Sequence, residues 1–299
     1  MTDPQSAAHL ATMQEMAPPS KATRARSRLL VLEPGRAEHN YWRDLWEYRE
    51  LFTILSWRDV AIRYKQTVIG ITWAMVRPLL TMVIFTVIFG RVARLPSDGT
   101  VPYPIMVFAG MLPWLLFSTI LSDASNSLVT NANLISKVYF PRLIVPSAAG
   151  VAALVEFGIA FVLFLLMMLW FRFLPDYRII FLPLFIALAV LASLGPALYI
   201  TALNVRYRDF RFIIPFVVQF GMYLSPVGFS SAVIPAKWRL LYRLNPVVGV
   251  IDGFRWCLLR GQSELYLPGL YLNLIIIAAL LWLGVSYFRK TERSFADLI

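Results

Sequence analysis

The feature that most constrains this chain is the run from residue 63 to residue 90, RYKQTVIGITWAMVRPLLTMVIFTVIFG. Its first four residues are basic or polar, and a predominantly apolar stretch of more than twenty residues follows them. A helix needs about 20 such residues to cross the roughly 30 Å hydrocarbon core of a bilayer. The run therefore predicts a transmembrane helix, entered from a basic side.

The composition indicates that such helices make up most of the chain. Hydrophobic residues account for 59% of the sequence and charged residues for 15%, and the mean hydropathy is +0.65. An ordinary soluble domain is about a quarter charged, so we expect an all-α integral membrane protein. Six apolar runs predict six transmembrane helices, at about residues 69–92, 102–126, 143–171, 179–203, 211–229 and 268–288.

Lysine and arginine residues near the ends of these runs predict the orientation. We count eleven at the ends that share a side with the N-terminus, and four in the short loops opposite. Cytoplasmic loops carry such an excess, so both termini are expected in the cytoplasm. These residues also account for the net charge of +11 without nucleic-acid binding. Residues 1–39 predict a mobile cytoplasmic tail, and residues 40–299 a single transmembrane domain.

An amphipathic stretch, residues 40–57, precedes the first span. Its apolar residues recur at steps of three and four, which places them on one helical face: Tyr41, Leu45, Tyr48, Phe52 and Leu55. The stretch is too charged to cross a bilayer, and it predicts an interface helix lying in the headgroup plane. A helix packed on a soluble partner is the alternative, and the two interpretations are compatible.

Two connections between spans also contain apolar residues. Residues 130–142, TNANLISKVYFPR, predict a short cytoplasmic helix that contacts a protein partner, and burial against neighbouring helix ends is the alternative. Residues 230–267 predict two short external helices that lie at the outer interface or dip partly into it. A compact external cap with no gating role is an equally good interpretation of this segment.

Motifs for catalysis are missing from the sequence. It holds no G-x-x-x-x-G-K-[ST], no H-E-x-x-H and no G-x-S-x-G, and one cysteine, Cys257, with two tail histidines excludes a metal cluster in the membrane. We therefore expect a transport subunit without a cofactor. Glu156 lies within a predicted span and is either an ion relay or, as we favour, a structural residue that pairs with Arg77 or with a backbone group inside the bundle. A separate ATPase would then supply the energy.

Aromatic residues form helical faces in three of the predicted spans. They are Phe85 and Phe89 in the first span, Trp114 and Phe117 in the second, and Phe212, Phe216, Phe220 and Tyr223 in the fifth. Aromatic faces stack on sugar rings and can guide a glycan, but they are also ordinary packing and lipid-facing residues. The spacing alone leaves both interpretations open.

Three stretches, in order along the chain, resemble the permease subunits of bacterial polysaccharide ABC exporters, which are type-2 ABC export permeases. They are residues 63–90, residues 204–235 (NVRYRDFRFIIPFVVQFGMYLSPVGFSSAVIP) and residues 244–258 (LNPVVGVIDGFRWCL). The chain most resembles the O-antigen permeases often called Wzm. The resemblance extends from about residue 40 to the C-terminus and is therefore more specific than any single motif.

The resemblance implies a homodimer in the bacterial cytoplasmic membrane, with two ATP-binding subunits that carry ATP and Mg²⁺. It implies export of a glycan attached to a polyprenyl-diphosphate lipid. A type-2 ABC exporter of a drug or small lipid is the first alternative. A membrane enzyme acting on polyprenyl lipids is the second, and the missing acidic motif argues against it.

The resemblance also implies roles for individual residues. The coupling segment, which contacts the ATPase, would comprise Asn131, Asn133, Leu134, Ile135, Lys137, Val138, Tyr139, Phe140 and Pro141. A lateral portal for the lipid headgroup would comprise Arg58, Arg63, Lys65, Ile69 and Gly70, since interfacial cations attract anionic headgroups. An external gate would comprise Trp238, Tyr242, Arg243, Arg255 and Trp256. The aromatic faces of the first, second and fifth spans would line the glycan path.

Overall fold

The structure is a computed structural model, and it describes residues 41–65, 68–207, 209–292 and 294–295, with the backbone alone for residues 68–71. The chain divides into two units, Met1–Tyr41 and Trp42–Ile299. Only Tyr41 of the first unit falls within the described residues. The predicted cytoplasmic tail, residues 1–39, therefore lies outside them.

Helices and short turns make up the described part of the chain, and it contains no strand. The helices are α1 (Tyr41–Glu47), α2 (Arg49–Tyr64), α3 (Val68–Phe85, continued by a π-helical segment, Thr86–Val92), α4 (Tyr103–Thr130), α5 (Ala132–Ile135), α6 (Ile144–Trp170), α7 (Leu182–Arg206), α8 (Phe210–Leu224), α9 (Ala236–Tyr242), α10 (Pro246–Leu258) and α11 (Leu267–Glu292). Short 3₁₀ turns occupy Tyr177–Phe181 and Ser231–Val233.

Five of these helices are long and apolar enough to cross a membrane: α3 with its π-helical extension, α4, α6, α7 and α11. The predicted fifth span, residues 211–229, is represented by α8, which has 15 residues. At 1.5 Å per residue α8 is about 22 Å long, less than the roughly 30 Å hydrocarbon core. The prediction of six spans is therefore not confirmed, and the chain is a multi-pass membrane protein with at least five candidate spans.

The early end of α8 has a local cause in the sequence. Ser225 precedes Pro226, and the proline ring disfavours helical backbone in the residue before it. Ser225 accordingly takes extended angles, with φ −101° and ψ 152°. Residues 225–229 then form a turn rather than the last turn of a span.

Helix α4 is the centre of the bundle, and it packs against α6, α7, α8 and α10. Most of its side chains are buried, whereas the other long helices expose much of their surface. Buried polar bonds join it to α7, because Thr201 donates to the carbonyl oxygen of Ala124 at 3.0 Å and Asn204 donates to that of Ser125 at 2.9 Å. These bonds fix the rotation of α7 against α4 in a region where apolar packing alone is non-directional.

Helices α7 and α11 meet at a pair of glycines. A methyl group added at Gly195 would lie 2.7 Å from backbone atoms of Leu280 and Leu281, and one added at Gly284 would overlap the carbonyl oxygen of Gly195. Small residues permit this close approach of two backbones between membrane helices. The crossing therefore depends on the absence of a side chain at both positions.

The segment between α8 and α11 contains the two predicted short helices, and they differ in burial. Helix α9 is largely exposed, but α10 is almost entirely buried, and it packs against α4, α7 and α11. Its basic residue, Arg255, is 0% exposed and donates to the carbonyl oxygens of Val227 at 2.9 Å and Phe229 at 2.8 Å. Arg255 suggested a surface helix, but its guanidinium instead bonds to the backbone of the turn that follows α8.

Candidate functional site

A cavity of about 490 Å³ lies between α3, α4 and α8. Helix α3 contributes Arg77 and Thr81, α4 contributes Trp114, Ser118 and Ser122, and α8 contributes Gln219 and Tyr223. The remaining wall is mainly apolar, including Met111, Leu115 and Met222. Ligand sites in proteins commonly combine such an apolar and aromatic wall with a few polar groups that orient the ligand.

The predicted aromatic path divides into two groups in the structure. Trp114 and Tyr223 line the cavity. Three further rings pack beside them: Phe117 at 5.4 Å from Trp114, Phe85 at 6.0 Å from Tyr223, and Phe89 at 5.4 Å from Phe85, all between ring centroids. Trp114 with Phe117, and Tyr223 with Phe85 and Phe89, thus form two aromatic groups that each reach the same cavity, and their role as a glycan path stays a prediction.

The other three aromatic residues of α8 do not reach the cavity. Phe212, Phe216 and Phe220 lie on an exposed face of this helix, and the rings of Phe216 and Phe220 contact each other at 4.1 Å. Phe212 is 78% exposed. Tyr223 shares this exposed face, as predicted, since it is 54% exposed, and it also lines the cavity.

Sequence reasoning missed most of the polar residues of the cavity. Trp114, Ser118 and Ser122 recur at four-residue steps along α4, so they share one face of the helix. This four-residue spacing was the available signal in the sequence. An aromatic residue and two hydroxyl groups on one face of an otherwise apolar span indicate a surface that faces a ligand.

A charged triad joins α2 to the bundle next to this cavity. The guanidinium of Arg63 on α2 donates to Asp123 of α4 at 2.6 Å and to Glu156 of α6 at 2.9 Å. The structural role expected for Glu156 is thus met by Arg63 as the direct partner, and Arg77 attracts the same carboxylate only from a greater distance. Burial alone would lower the pKa of Arg63, but the two carboxylates raise it above its ordinary value, so the guanidinium stays charged at physiological pH.

The residues predicted for the lateral portal fall into different environments. Arg63 is engaged by two carboxylates, and Arg58 donates to Asp59 at 2.7 Å and to Asn131 at 2.7 Å. Lys65 is exposed. Ile69 and Gly70 fall in the part of α3 that is described by its backbone alone. The headgroup role of this set stays a prediction, with Lys65 as the member most accessible to an anion.

The interface helix differs in its bounds from the predicted stretch, residues 40–57. It is interrupted at Tyr48 and continues to Tyr64 as α2, which packs on α6. Its inner face is the predicted one, since Leu55 is buried and Phe52 partly buried. Trp46, Ile54 and Trp57 are exposed on the outer face, and aromatic residues of this kind are enriched at headgroup level. The placement of α2 in the headgroup plane stays a prediction.

The coupling segment contains one short helix, α5, and presents two kinds of residue. Ile135, Phe140 and Pro141 are buried, and Phe140 is only 4% exposed. Val138 and Tyr139 are exposed, Tyr139 by 57%. The exposed polar members are Asn133 and Lys137, and Asn131 and Leu134 are half-buried. Burial against the bundle therefore accounts for some of its apolar residues, and contact of the exposed ones with a protein partner stays a prediction.

Two contacts hold the ends of this segment. At its start, the amide oxygen of Asn131 accepts from Arg58 of α2 at 2.7 Å. Just beyond its end, the backbone N–H of Arg142 donates to the Glu292 carboxylate at 2.7 Å, and the Arg142 guanidinium bonds to the Glu292 carbonyl oxygen. Phe295 is buried against Arg142 and Phe288. The segment is thus fixed to α2 at one end and to α11 at the other.

The predicted gate residues lie in the cap formed by α9 and α10. Arg243 forms a buried ion pair with Asp252 at 2.5 Å, and Ser231 donates to the same carboxylate at 2.8 Å. Trp256 packs against Phe181, 5.8 Å between ring centroids. Trp238 is exposed on α9, and Tyr242 is half-buried. The buried bonds explain how the cap is held, and a gating role for these residues stays a prediction.

Comparisons with known proteins agree with this arrangement. The profile of the family described as "ABC-2 type transporter" matches residues 50–259, and these residues include the cavity, the charged triad and the coupling segment. "O-antigen export system permease protein RfbA" of Myxococcus xanthus is 25% identical over 259 residues, which cover 86% of this chain and 98% of the relative.

Two proteins of the same name from Klebsiella pneumoniae are each 24% identical to this chain. The matches extend over 252 and 257 residues, and each covers 84% of this chain and 95% of the relative. The resemblance to type-2 ABC export permeases is confirmed, since the family match covers more than half of the sequence. The chain belongs to the ABC-2 type transporter family.

Proposed function

We propose that this chain is the membrane-spanning subunit of an ATP-driven exporter that moves polyprenyl-diphosphate-linked polysaccharide from the cytoplasm across the inner membrane. The observation that carries the proposal is the similarity over 98% of a relative named as an O-antigen export permease. The cavity supports it, because Trp114 and Tyr223 provide aromatic surface and Ser118, Ser122 and Gln219 provide polar groups that suit a sugar chain.

The proposal includes two copies of an ATP-binding partner on the cytoplasmic side. Val138 and Tyr139 supply an exposed apolar surface on the coupling segment, and an exposed apolar patch beside polar residues is typical of a protein-binding site. ATP and Mg²⁺ would be held by that partner, so the present chain is a transport subunit rather than an enzyme.

A second copy of the chain completes the proposed transporter. Phe212, Phe216 and Phe220 are exposed on α8, and covering them with a second copy would bury this aromatic surface. In this arrangement α8 lies within the membrane as a short sixth span. An even number of spans then leaves both termini in the cytoplasm, as the excess of basic residues predicts.

A type-2 exporter of a drug or small lipid is a second candidate function. The volume of the cavity, about 490 Å³, falls within the range of about 300–1,000 Å³ that is usual for small-molecule sites. A long glycan would instead have to pass through such a space one segment at a time.

Deletion of the chain in its host separates the two candidates. Surface polysaccharide and intracellular polyprenyl-linked glycan are measured together, with reintroduction of the wild-type chain as the control. Loss of the surface glycan with accumulation of the lipid-linked form inside is the expected result. No change in either pool would contradict polysaccharide export and would favour the small-molecule exporter.

A further inference from the structure

Arg77 occupies an unfavourable position for a charged side chain. It lies nine residues after Val68, where α3 begins, about 14 Å along the helix at 1.5 Å per residue. Ionisable groups inside membrane spans are costly, and they usually face a polar partner or a water-filled cavity. The position of Arg77 therefore calls for a compensating group.

Within the described part of the chain, the side chain of Arg77 has no ion pair within 4.0 Å and no hydrogen bond, and its charge attracts the Glu156 carboxylate only from a greater distance. The acidic residues of the neighbouring helices, Asp123 and Glu156, both bond to Arg63. Arg77 is exposed toward the cavity between α3, α4 and α8. Its charge is therefore available to a ligand.

Two further polar side chains of the cavity are also uncommitted. The hydroxyl of Ser122 and the amide of Gln219 make no side-chain hydrogen bond to another described residue. In contrast, the hydroxyls of Thr81 and Ser118 donate to backbone carbonyl oxygens of their own helices at 3.0 and 3.1 Å. The available donors, namely a guanidinium, a hydroxyl and an amide, come from three different helices around one space.

This combination indicates an anion with several oxygen atoms. A guanidinium offers a planar set of donors that matches phosphate, and it binds phosphate groups in two parallel hydrogen bonds. The rest of the wall, including Met111, Leu115 and Met222, is apolar. An apolar surface beside the donors suits a hydrocarbon chain attached to the anion.

We propose that Arg77, with Ser122 and Gln219, binds the phosphate or diphosphate group of an amphiphilic ligand inside this cavity. The inference rests on the proposed function, in which the substrate carries a polyprenyl diphosphate. It moves the anion site away from Arg63, whose guanidinium already bonds to two carboxylates. The ligand neutralises Arg77, and this removes the cost of the unpaired charge in the span.

The test measures binding of farnesyl diphosphate to the purified full-length chain in nanodiscs of uncharged lipid, by isothermal titration calorimetry. Arg77→Ala is compared with wild type and with Arg91→Ala, which removes an exposed arginine at the other end of the same helix. We expect at least a tenfold weaker affinity for Arg77→Ala, and an intermediate loss for Arg77→Lys, which keeps the charge without the planar donors. Arg91→Ala should bind like wild type.

Two further ligands locate the source of the affinity. Farnesol carries the chain without the phosphates, and its binding should be unaffected by Arg77→Ala. Inorganic diphosphate carries the phosphates without the chain and should bind more weakly than farnesyl diphosphate. Equal affinity of both diphosphates would overturn the amphiphilic ligand and indicate a site for free phosphate. Unchanged binding of farnesyl diphosphate by Arg77→Ala would overturn the site itself.

Failure of this inference is distinguishable from failure of the proposed function. Export lost on deletion of the chain, together with binding that does not depend on Arg77, would leave the exporter standing and remove the site. Binding that depends on Arg77, without loss of surface glycan on deletion, would leave the site and remove the exporter. The melting temperature of Arg77→Ala serves as the folding control. It should be no lower than that of wild type, because the substitution removes an unpaired charge.

Discussion

Replacement of Arg63 by methionine tests the charged triad most directly. The substitution keeps an apolar stem of similar length but removes the hydrogen bonds to Asp123 at 2.6 Å and to Glu156 at 2.9 Å. A hydrogen bond to a charged group contributes about 1.5–3 kcal/mol. The three side chains are 33%, 28% and 18% exposed, so the lower value applies to each bond. We therefore expect a loss of about 3 kcal/mol, which is roughly a hundredfold in the folding equilibrium.

Two control variants show whether the loss comes from uncompensated charge. Combining Arg63→Met with Asp123→Asn and Glu156→Gln removes the two carboxylates left without a partner, and it should recover more than half of the loss. Arg43→Met breaks an ion pair to Glu47 that is exposed and 3.6 Å long. Exposed pairs contribute less than about 1 kcal/mol, so this variant should remain close to wild type.

The free energy of unfolding is measured by denaturant titration in mixed micelles, with tryptophan fluorescence as the signal. Each variant is compared at the same protein and detergent concentration. An Arg63→Met protein within about 0.5 kcal/mol of wild type, well under the bonds' expected contribution, would refute the reasoning. So would a triple variant no more stable than Arg63→Met alone, because the penalty would then not arise from the unpaired carboxylates.

Four other substitutions test the coupling segment, the cavity and the helix crossing. Tyr139→Asp should abolish co-purification of the ATPase in a pull-down while the protein stays in the membrane. Phe140→Asp should instead lower the amount of folded protein in a size-exclusion profile, because Phe140 is buried. Gly221→Ala should reduce export, assayed as surface glycan, because its methyl group would lie 2.7 Å from the Trp114 ring and push that ring into the cavity. Gly284→Leu should lower the melting temperature in detergent, since the backbone of α7 occupies the space, and an unchanged melting temperature would contradict the close crossing.

The long spans were predictable because apolar runs of 20 or more residues have few other solutions in a membrane protein. The helices α4, α6, α7 and α11 lie at or near the predicted positions. The fifth span was predicted too long because hydropathy continues through Pro226, whereas the backbone before a proline leaves the helical region. Local stereochemistry, rather than hydropathy, ends α8 at Leu224.

The site was less predictable, because its contacts join residues that are far apart in the chain. Arg63 and Glu156 are separated by 93 positions, and no periodicity in either segment specifies that they meet. Arg255 suggested a surface helix because a lone basic residue usually faces water. Its burial depends on hydrogen bonds to carbonyl oxygens of the turn after α8. The sequence pattern does not reveal these bonds.

Helix α11 makes polar contacts near both of its ends. Near its start, Asn273 donates to the carbonyl oxygens of Arg243 and Asn245 in the cap, at 2.6 and 3.1 Å. At its other end, Glu292 accepts from the backbone of Arg142 beside the coupling segment. The helix has 26 residues, so it is about 39 Å long. It therefore links the coupling segment to the cap as one rigid helix. We expect movement of the coupling segment to move the cap as well. Spin labels at the exposed positions Ser136 and Trp238 should show correlated movement during ATP turnover, and independent movement would contradict this direct link.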